Sequence, residues 1–151
     1  MTNPSQKAAK EIVFTYLEDK QELYKISGGA AANFKVLEQS TDELGMVNIK
    51  LQQTFKGVPV FGHILTAHVD KNGVLTALSG SLAPELFKKN SLKKGATVKP
   101  SEASAIALAD LKAQISEDVE VDKQVGPQLN VYVKDGEAKY AYSTEFQFLH
   151  P

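Results

Sequence analysis

The chain has 151 residues, 42% hydrophobic and 23% charged, with a net charge of −1 at pH 7, so no excess of positive charge is available for nucleic acid or an anionic membrane. Because it has no cysteine, disulfides, thiolate metal sites and cysteine nucleophiles are excluded. No apolar run approaches the roughly 20 residues that span a bilayer, and residues 1–5 lack the basic-then-apolar order of a signal peptide.

The first predicted element is an amphipathic helix. Asn3 is suited to the N-cap, a proline follows it, and Gln6 lies three positions after the cap. Apolar residues then recur at helical spacing: Ala9, Ile12, Val13, Tyr16 and Leu17. We expect this helix to end near residues 23–26. The segment 27–32, SGGAAA, is predicted to be a flexible joint, and its glycine spacing does not fit a phosphate-binding loop.

Residues 34–56 are predicted to form two strands joined by a turn at 40–45. The second strand alternates, and a period of two predicts one face on a core and one in water. Its predicted inward residues are Val47, Ile49, Leu51 and Phe55. Its predicted outward residues are Asn48, Lys50, Gln52, Thr54 and Lys56.

The following residues continue the meander. Gly57 opens a short connection, and Pro59 favours a strand start or an edge, since proline cannot donate to a ladder. The inward face of the next strand is predicted to comprise Phe61, Leu65, Ala67 and Val69. Residues 70–73, DKNG, form a tight-turn sequence, and residues 74–79 return as a third strand.

Residues 82–98 differ in character because they carry four lysines, a proline and a glycine; the lysines are Lys88, Lys89, Lys93 and Lys94. Such a run is typical of a solvated linker, and a docking patch for an acidic partner is the alternative.

A second helix-then-strands unit follows. Residues 99–102, KPSE, place proline in the first turn and glutamate at the capping-box position. Residues 129–133 are predicted to form a strand, 134–137 a hairpin turn and 138–148 a long strand. One face of that last strand carries Tyr140, Tyr142, Thr144, Phe146 and Phe148. We interpret this stripe as a sheet core under the second helix, with a base-stacking platform as the alternative.

Residues suited to catalysis or metal binding are scarce. His63 and His68 are five apart on one predicted strand, which sends them to opposite faces, and His150 lies far along the chain. No serine lies in a nucleophile-elbow sequence. The acidic run 117–122 lacks the glycine and terminal glutamate of a calcium loop, so a solvated face is expected, with an ion site as the alternative. We therefore expect no catalytic residue, no cofactor and no metal.

Two phrases carry a family resemblance. Residues 51–62, LQQTFKGVPVFG, and 68–73, HVDKNG, resemble the pro-region of thermolysin-like and fungalysin-like secreted zinc metalloproteases. The second half is similar to the PepSY-type part of these pro-regions in its helix-then-hairpin order and its ending FQFLHP, after which the family has a further strand and the cleavage site.

The resemblance implies an α+β fold of two tandem cystatin-like units, each a helix packed on an antiparallel sheet. An FTP-type pro-domain is expected at 3–81, a lysine-rich linker at 82–97 and a truncated PepSY-type domain at 98–151. The sheet faces that no helix covers are candidates for partner contact. The candidate contact residues are Phe55, Val58, Pro59, Val60 and Phe61.

The function that the resemblance implies is that of an intramolecular chaperone and inhibitor of a cognate metalloprotease catalytic domain. The precursor is expected to be secreted, with its signal peptide upstream of this chain and with neither nucleic acid nor membrane as a partner. The alternative is a free-standing secreted or envelope protease inhibitor or binding module. An enzyme of unknown type is the third possibility.

Overall fold

The computed structural model describes residues 1–87, 92, 97–115 and 120–149. Six strands form one mixed sheet in the order β1-β2-β3-β5-β6, and β4 also pairs with β3. The strands are β1 Phe34–Thr41, β2 Val47–Phe55, β3 Val58–Val69, β4 Leu75–Gly80, β5 Val121–Lys134 and β6 Glu137–Phe148. The helices are α1 Ala9–Asp19, α2 Gln21–Tyr24, α3 Ala30–Asn33 and α4 Pro100–Gln114.

The predicted α+β class is confirmed, whereas two separate cystatin-like units are not. The two halves share one sheet because Val60 of β3 pairs in parallel with Val131 of β5. The other strand pairs are antiparallel.

The predicted helix start at Asn3 is wrong, since α1 begins at Ala9. The residues before it instead pair with the turn that precedes β4. The Ser5 N–H donates to the Asn72 carbonyl at 3.2 Å, and Thr2 Oγ1 accepts the Leu75 N–H at 2.9 Å. These bonds hold the N-terminal residues extended against the sheet. The predicted end of the helical region is confirmed, as α2 ends at Tyr24.

The segment 27–32, predicted to be a flexible joint, is held by side-chain bonds and by packing. Asn33 Nδ2 donates to the Ser27 carbonyl at 2.6 Å and to the Gly29 carbonyl at 2.7 Å. Ala30 starts the short helix α3 and is buried in the core. An asparagine amide thus replaces main-chain partners in this turn.

The first hydrophobic cluster lies between α1 and the sheet of β1 to β4. Its buried members include Ile12, Val13 and Leu17 of α1, Ile49 and Leu51 of β2, and Leu65, Ala67 and Val69 of β3. The predicted periods of 3.6 and 2 are therefore confirmed over these residues. Burial of such aliphatic side chains is the main stabilising term of a domain.

A bulge in β3 reverses the predicted face of Phe61. The register between β2 and β3 shifts between Gln52 and Thr54, so several β3 residues oppose a single β2 position. Gly62 lies inside the bulge with φ +74°. As a result Val60 is buried and Phe61 is 53% exposed. A register slip moves side chains to the opposite face, and Thr54, predicted to face water, is likewise buried.

The second half follows the predicted order. Helix α4 begins at Pro100 as predicted. β5 begins at Val121, upstream of the predicted 129–133. The predicted hairpin turn is confirmed, with φ values of 52° at Asp135 and 76° at Gly136 that suit a two-residue hairpin loop. Residues 117–119 of the acidic run lie outside the described residues.

A second hydrophobic cluster joins the two halves. Its buried members are Val60, Ala83, Leu86, Val131 and Ala138. Ala83 and Leu86 belong to the segment predicted as a solvated linker, so its first part is packed. The four lysines of that segment lie outside the described residues. No helix within the described ranges is long and apolar enough to cross a membrane.

The close approach of the N-terminal residues to the turn before β4 makes Gly73 a sensitive position. Its φ is +71°, and an added Cβ would clash with the Ser5 carbonyl. We predict that Gly73→Ala lowers the free energy of unfolding by about 3 kcal/mol or more, measured by urea denaturation.

Gly57→Ala is the matched control, because Gly57 has a φ of +81° but no atom within 4 Å of the added Cβ. It should lose only the left-handed strain of about 1 kcal/mol. Equal losses for the two variants would contradict the packing of the N-terminal residues on this turn.

Candidate interaction site

Gln52 stabilises the bulge of β3. Its Nε2 donates to the Val60 carbonyl at 2.7 Å and to the His63 carbonyl at 3.0 Å. These carbonyls belong to the stretch of β3 that departs from the β2 register. The side-chain amide therefore replaces the missing ladder partner, and β3 can turn toward β5.

Gln53 links β2 to the segment after β4, although its side chain is completely buried. The Ala83 N–H donates to Gln53 Oε1 at 2.8 Å, and Gln53 Nε2 donates to the Ala83 carbonyl at 3.2 Å. Both polar groups of one peptide position are thus satisfied by one amide. We call this pair of bonds the Gln53 latch; it holds Ala83 and Leu86 in the second cluster.

The hairpin β5–β6 has one face on α4 and one face away from it. Gln124 Nε2 donates to Ser104 Oγ of α4 at 2.9 Å, and Gln124 pairs with Phe146, which identifies the helix-covered face. The opposite face carries the cross-strand pairs Val125–Glu145, Gln128–Ser143, Asn130–Ala141 and Tyr132–Lys139. We call this second surface the open face.

Two exposed aromatic rings meet on the open face. Phe61 of β3 is 53% exposed and Tyr132 of β5 is 44% exposed. Their ring centroids lie 6.4 Å apart with planes tilted by 51°, within the range of favourable aromatic pairs. Val125, further along β5, is also exposed. Exposed aromatic and aliphatic side chains on one sheet face are typical of a protein interaction surface.

A cleft of about 100 Å³ lies beside this aromatic pair. It is lined by Phe61, Asn130, Tyr132, Ala141, Tyr142 and Ser143. Asn130 is 6% exposed, and its Nδ2 donates to the Gln128 carbonyl at 2.9 Å and to Ser143 Oγ at 2.7 Å. The cleft therefore combines aromatic walls with one buried amide.

The five predicted contact residues do not share one environment. Val60 is buried, so its side chain offers no contact surface in this conformation. Phe55 and Val58 are half-buried against the second cluster, and Pro59, which follows Val58, is also half-buried. Phe61 alone of the five is exposed on the open face.

Sequence reasoning missed Asn130, Tyr132 and Val125. The alternation of β5 carries the signal, because Asn130 and Tyr132 are flanked by Val131 and Val133, which face the other way. The contact between the Tyr132 and Phe61 rings could not be predicted from sequence, because it depends on the bulge in β3.

Two larger concavities lie elsewhere. A groove of about 410 Å³ runs between α4 and β6, lined by Ile106 and Tyr140 among others. Another of about 320 Å³ lies beside α2 and includes Leu23 and Tyr24. Burial, helped by a hydrogen bond with Tyr16, raises the pKa of Tyr24 to about 12.

Among the described residues, His63 and His68 lie near different side chains. His68 Nδ1 lies within hydrogen-bonding distance of Asn48 Oδ1, and His63 Nδ1 lies 3.4 Å from Ser81 Oγ. His150 lies outside the described residues. In the part of the chain that the structure describes, no three acidic, histidine or cysteine side chains are grouped to hold a metal ion.

Comparison with known proteins identifies the chain. The family described as the Fungalysin/Thermolysin Propeptide Motif matches residues 32–82. Thermostable neutral protease NprT of Geobacillus stearothermophilus is 34% identical over 152 residues, which is 100% of this chain and 28% of that protein. This match lies in the N-terminal part of the relatives. The chain is a pro-region of the thermolysin-like protease family.

Further relatives agree with this assignment. Thermolysin of Alicyclobacillus acidocaldarius is 32% identical, and bacillolysin of Bacillus cereus is 35% identical. Each match covers 26% of the relative and at least 95% of this chain. The pro-region thus spans about a quarter of the length of the curated relatives it matches. Because the catalytic part of those proteins is not matched, the pro-region is non-catalytic, as predicted.

The Gln53 latch leads to a stability prediction. Gln53→Leu keeps a buried side chain of similar size but leaves the Ala83 N–H and carbonyl without the amide. Each buried polar group left without a partner costs about 1–3 kcal/mol. We predict a loss of about 2–4 kcal/mol in the free energy of unfolding, with faster hydrogen exchange at Ala83.

Gln39→Leu, at an exposed position of β1, is the matched control and should change stability little. A Gln53→Leu variant as stable as wild type would contradict the role of the latch.

Proposed function

We propose that this pro-region is an intramolecular chaperone and inhibitor of the catalytic domain that follows it in a secreted thermolysin-like precursor. The observation that carries the proposal is the match of the whole chain to the N-terminal quarter of such proteases. The open face, with exposed Phe61 and Tyr132, supplies a surface for the contact.

A chaperone role has a physical basis. Secreted proteases can be kinetically stable, with a high barrier between unfolded and native states. A separately folded protein that binds the folding transition state of the protease lowers this barrier by the binding energy gained in that state. Standard protein interfaces bury about 1,600 Å² in total, which is about 800 Å² on each partner.

We propose that the contact is centred on the open face, with Phe61 as its principal residue. Phe55 and Val58 pack against the second cluster behind the open face, and Pro59 beside them is half-buried. The Lys56 ammonium lies 5.4 Å from the centre of the Phe55 ring. Val60 is buried and contributes indirectly, because its backbone pairing with Val131 places Phe61 next to Tyr132.

The organisation into an FTP-type part at 3–81, a connection at 82–97 and a PepSY-type part at 98–151 belongs to the same proposal. The family motif at residues 32–82, which falls almost entirely in the first part, supports this division. The shared sheet means that the parts act as one surface.

Refolding in trans tests the proposed function. The unfolded catalytic domain of the same precursor is diluted with and without the purified chain, and the yield of active protease is measured. The mature protease is separately assayed with the chain in excess. We predict a higher yield of active protease and a lower activity of the mature enzyme. If neither quantity changes, the proposal fails. Inhibition without any gain in refolding favours the free-standing inhibitor.

The open face is tested by Phe61→Ala. Central aromatic residues of interfaces often contribute 2 kcal/mol or more. We therefore predict that half-maximal recovery of active protease needs a concentration of the variant about tenfold or more above that of the wild-type chain. Leu44→Ala is the matched control, because Leu44 is 84% exposed in the turn between β1 and β2. Equal effects of the two substitutions would contradict a contact at Phe61.

A further inference from the structure

The amide of Asn130 has an acceptor that the fold leaves open. The Gln128 carbonyl can only accept, so the atom of Asn130 that faces it at 2.9 Å must be the amino nitrogen. The same nitrogen donates to Ser143 Oγ. Among the residues that the structure describes, none donates to Asn130 Oδ1. Buried acceptors are normally satisfied, so this oxygen marks a place where a donor from outside is favoured.

The cleft around Asn130 is sized for one side chain. Its volume of about 100 Å³ lies well below the roughly 300–1,000 Å³ of small-molecule sites. A site of this size has room for the end of one side chain rather than for a whole small molecule. None of its six lining residues is charged, and Phe61 and Tyr132 supply aromatic walls. These features favour an apolar stem that ends in an N–H or O–H group.

The cleft exists only in the assembled pro-region. Phe61 comes from β3, inside the family motif, whereas Asn130, Tyr132 and Ala141 come from the β5–β6 hairpin. Pairing of Val60 with Val131 brings these parts together. A partner that inserts a side chain here therefore recognises the folded pro-region as a whole.

We propose that the Asn130 cleft is the anchor site for one side chain of the precursor's catalytic domain, an apolar side chain whose terminal donor hydrogen-bonds to Asn130 Oδ1. This inference rests on the proposed function. The catalytic domain is the chosen occupant because the relatives extend far beyond the matched quarter, so the pro-region is joined to a large partner at high effective concentration.

Two variants test the anchor in different ways. Asn130→Leu removes the acceptor, and Ala141→Leu fills the cleft while it leaves the Asn130 bonds in place. Ala77→Leu is the matched control, since Ala77 is exposed on β4, away from the open face. Thermal unfolding of each variant establishes that it is folded before use.

The measurement is the concentration of pro-region that gives half-maximal recovery of active protease in trans refolding. We expect this concentration to increase about tenfold for Asn130→Leu, which loses the hydrogen bond to the partner, and about tenfold for Ala141→Leu, which blocks the cleft. We expect it to stay unchanged for Ala77→Leu.

The outcomes separate this inference from the function on which it rests. If wild-type pro-region promotes refolding and folded Ala141→Leu does so at the same concentration, the anchor is overturned and the function stands. If wild type has no effect, the proposed function itself fails. If sedimentation shows a wild-type dimer that Ala141→Leu dissociates, the occupant is a second copy and the anchor is again overturned.

Discussion

The fold depends on two neighbouring glutamine amides that replace backbone partners. Gln52 satisfies carbonyls in the bulge of β3, and Gln53 satisfies both polar groups of Ala83. They lie on opposite faces of β2 because successive side chains of a strand alternate. One directs β3 toward β5, and the other holds the segment that covers the second cluster. Together they turn a simple meander into the base on which the second half assembles.

This arrangement explains how a non-catalytic chain acquires a defined surface. Phe61 is exposed because the bulge reverses the register, and it meets Tyr132 because Val60 pairs with Val131. Both are consequences of backbone geometry at one point of the sheet. The open face in this form therefore exists only when the two halves are joined.

Sequence patterns predicted the elements far better than their irregularities. Apolar alternation located β2 and most of β3, and proline in the first turn located the start of α4. The face of Phe61 could not be predicted, because a bulge is a non-local compromise between the ladder to β2 and the bridge to β5. The predicted helix start at Asn3 was wrong for a similar reason. The long-range hydrogen bonds of Thr2 with Leu75 and of Ser5 with Asn72 outweigh the local capping pattern. Asn130 carries no local signal for its open acceptor, which depends on Ser143 across the hairpin.

The most direct test of the central claim is site-specific photo-cross-linking in the complex with the catalytic domain. A benzoyl-phenylalanine in place of Tyr132 lies on the open face, and the same probe in place of Leu37 lies on β1, in the other half of the sheet. The account predicts a covalent product with the catalytic domain from position 132 and none from position 37. A product from position 37 alone would place the contact elsewhere and contradict the account.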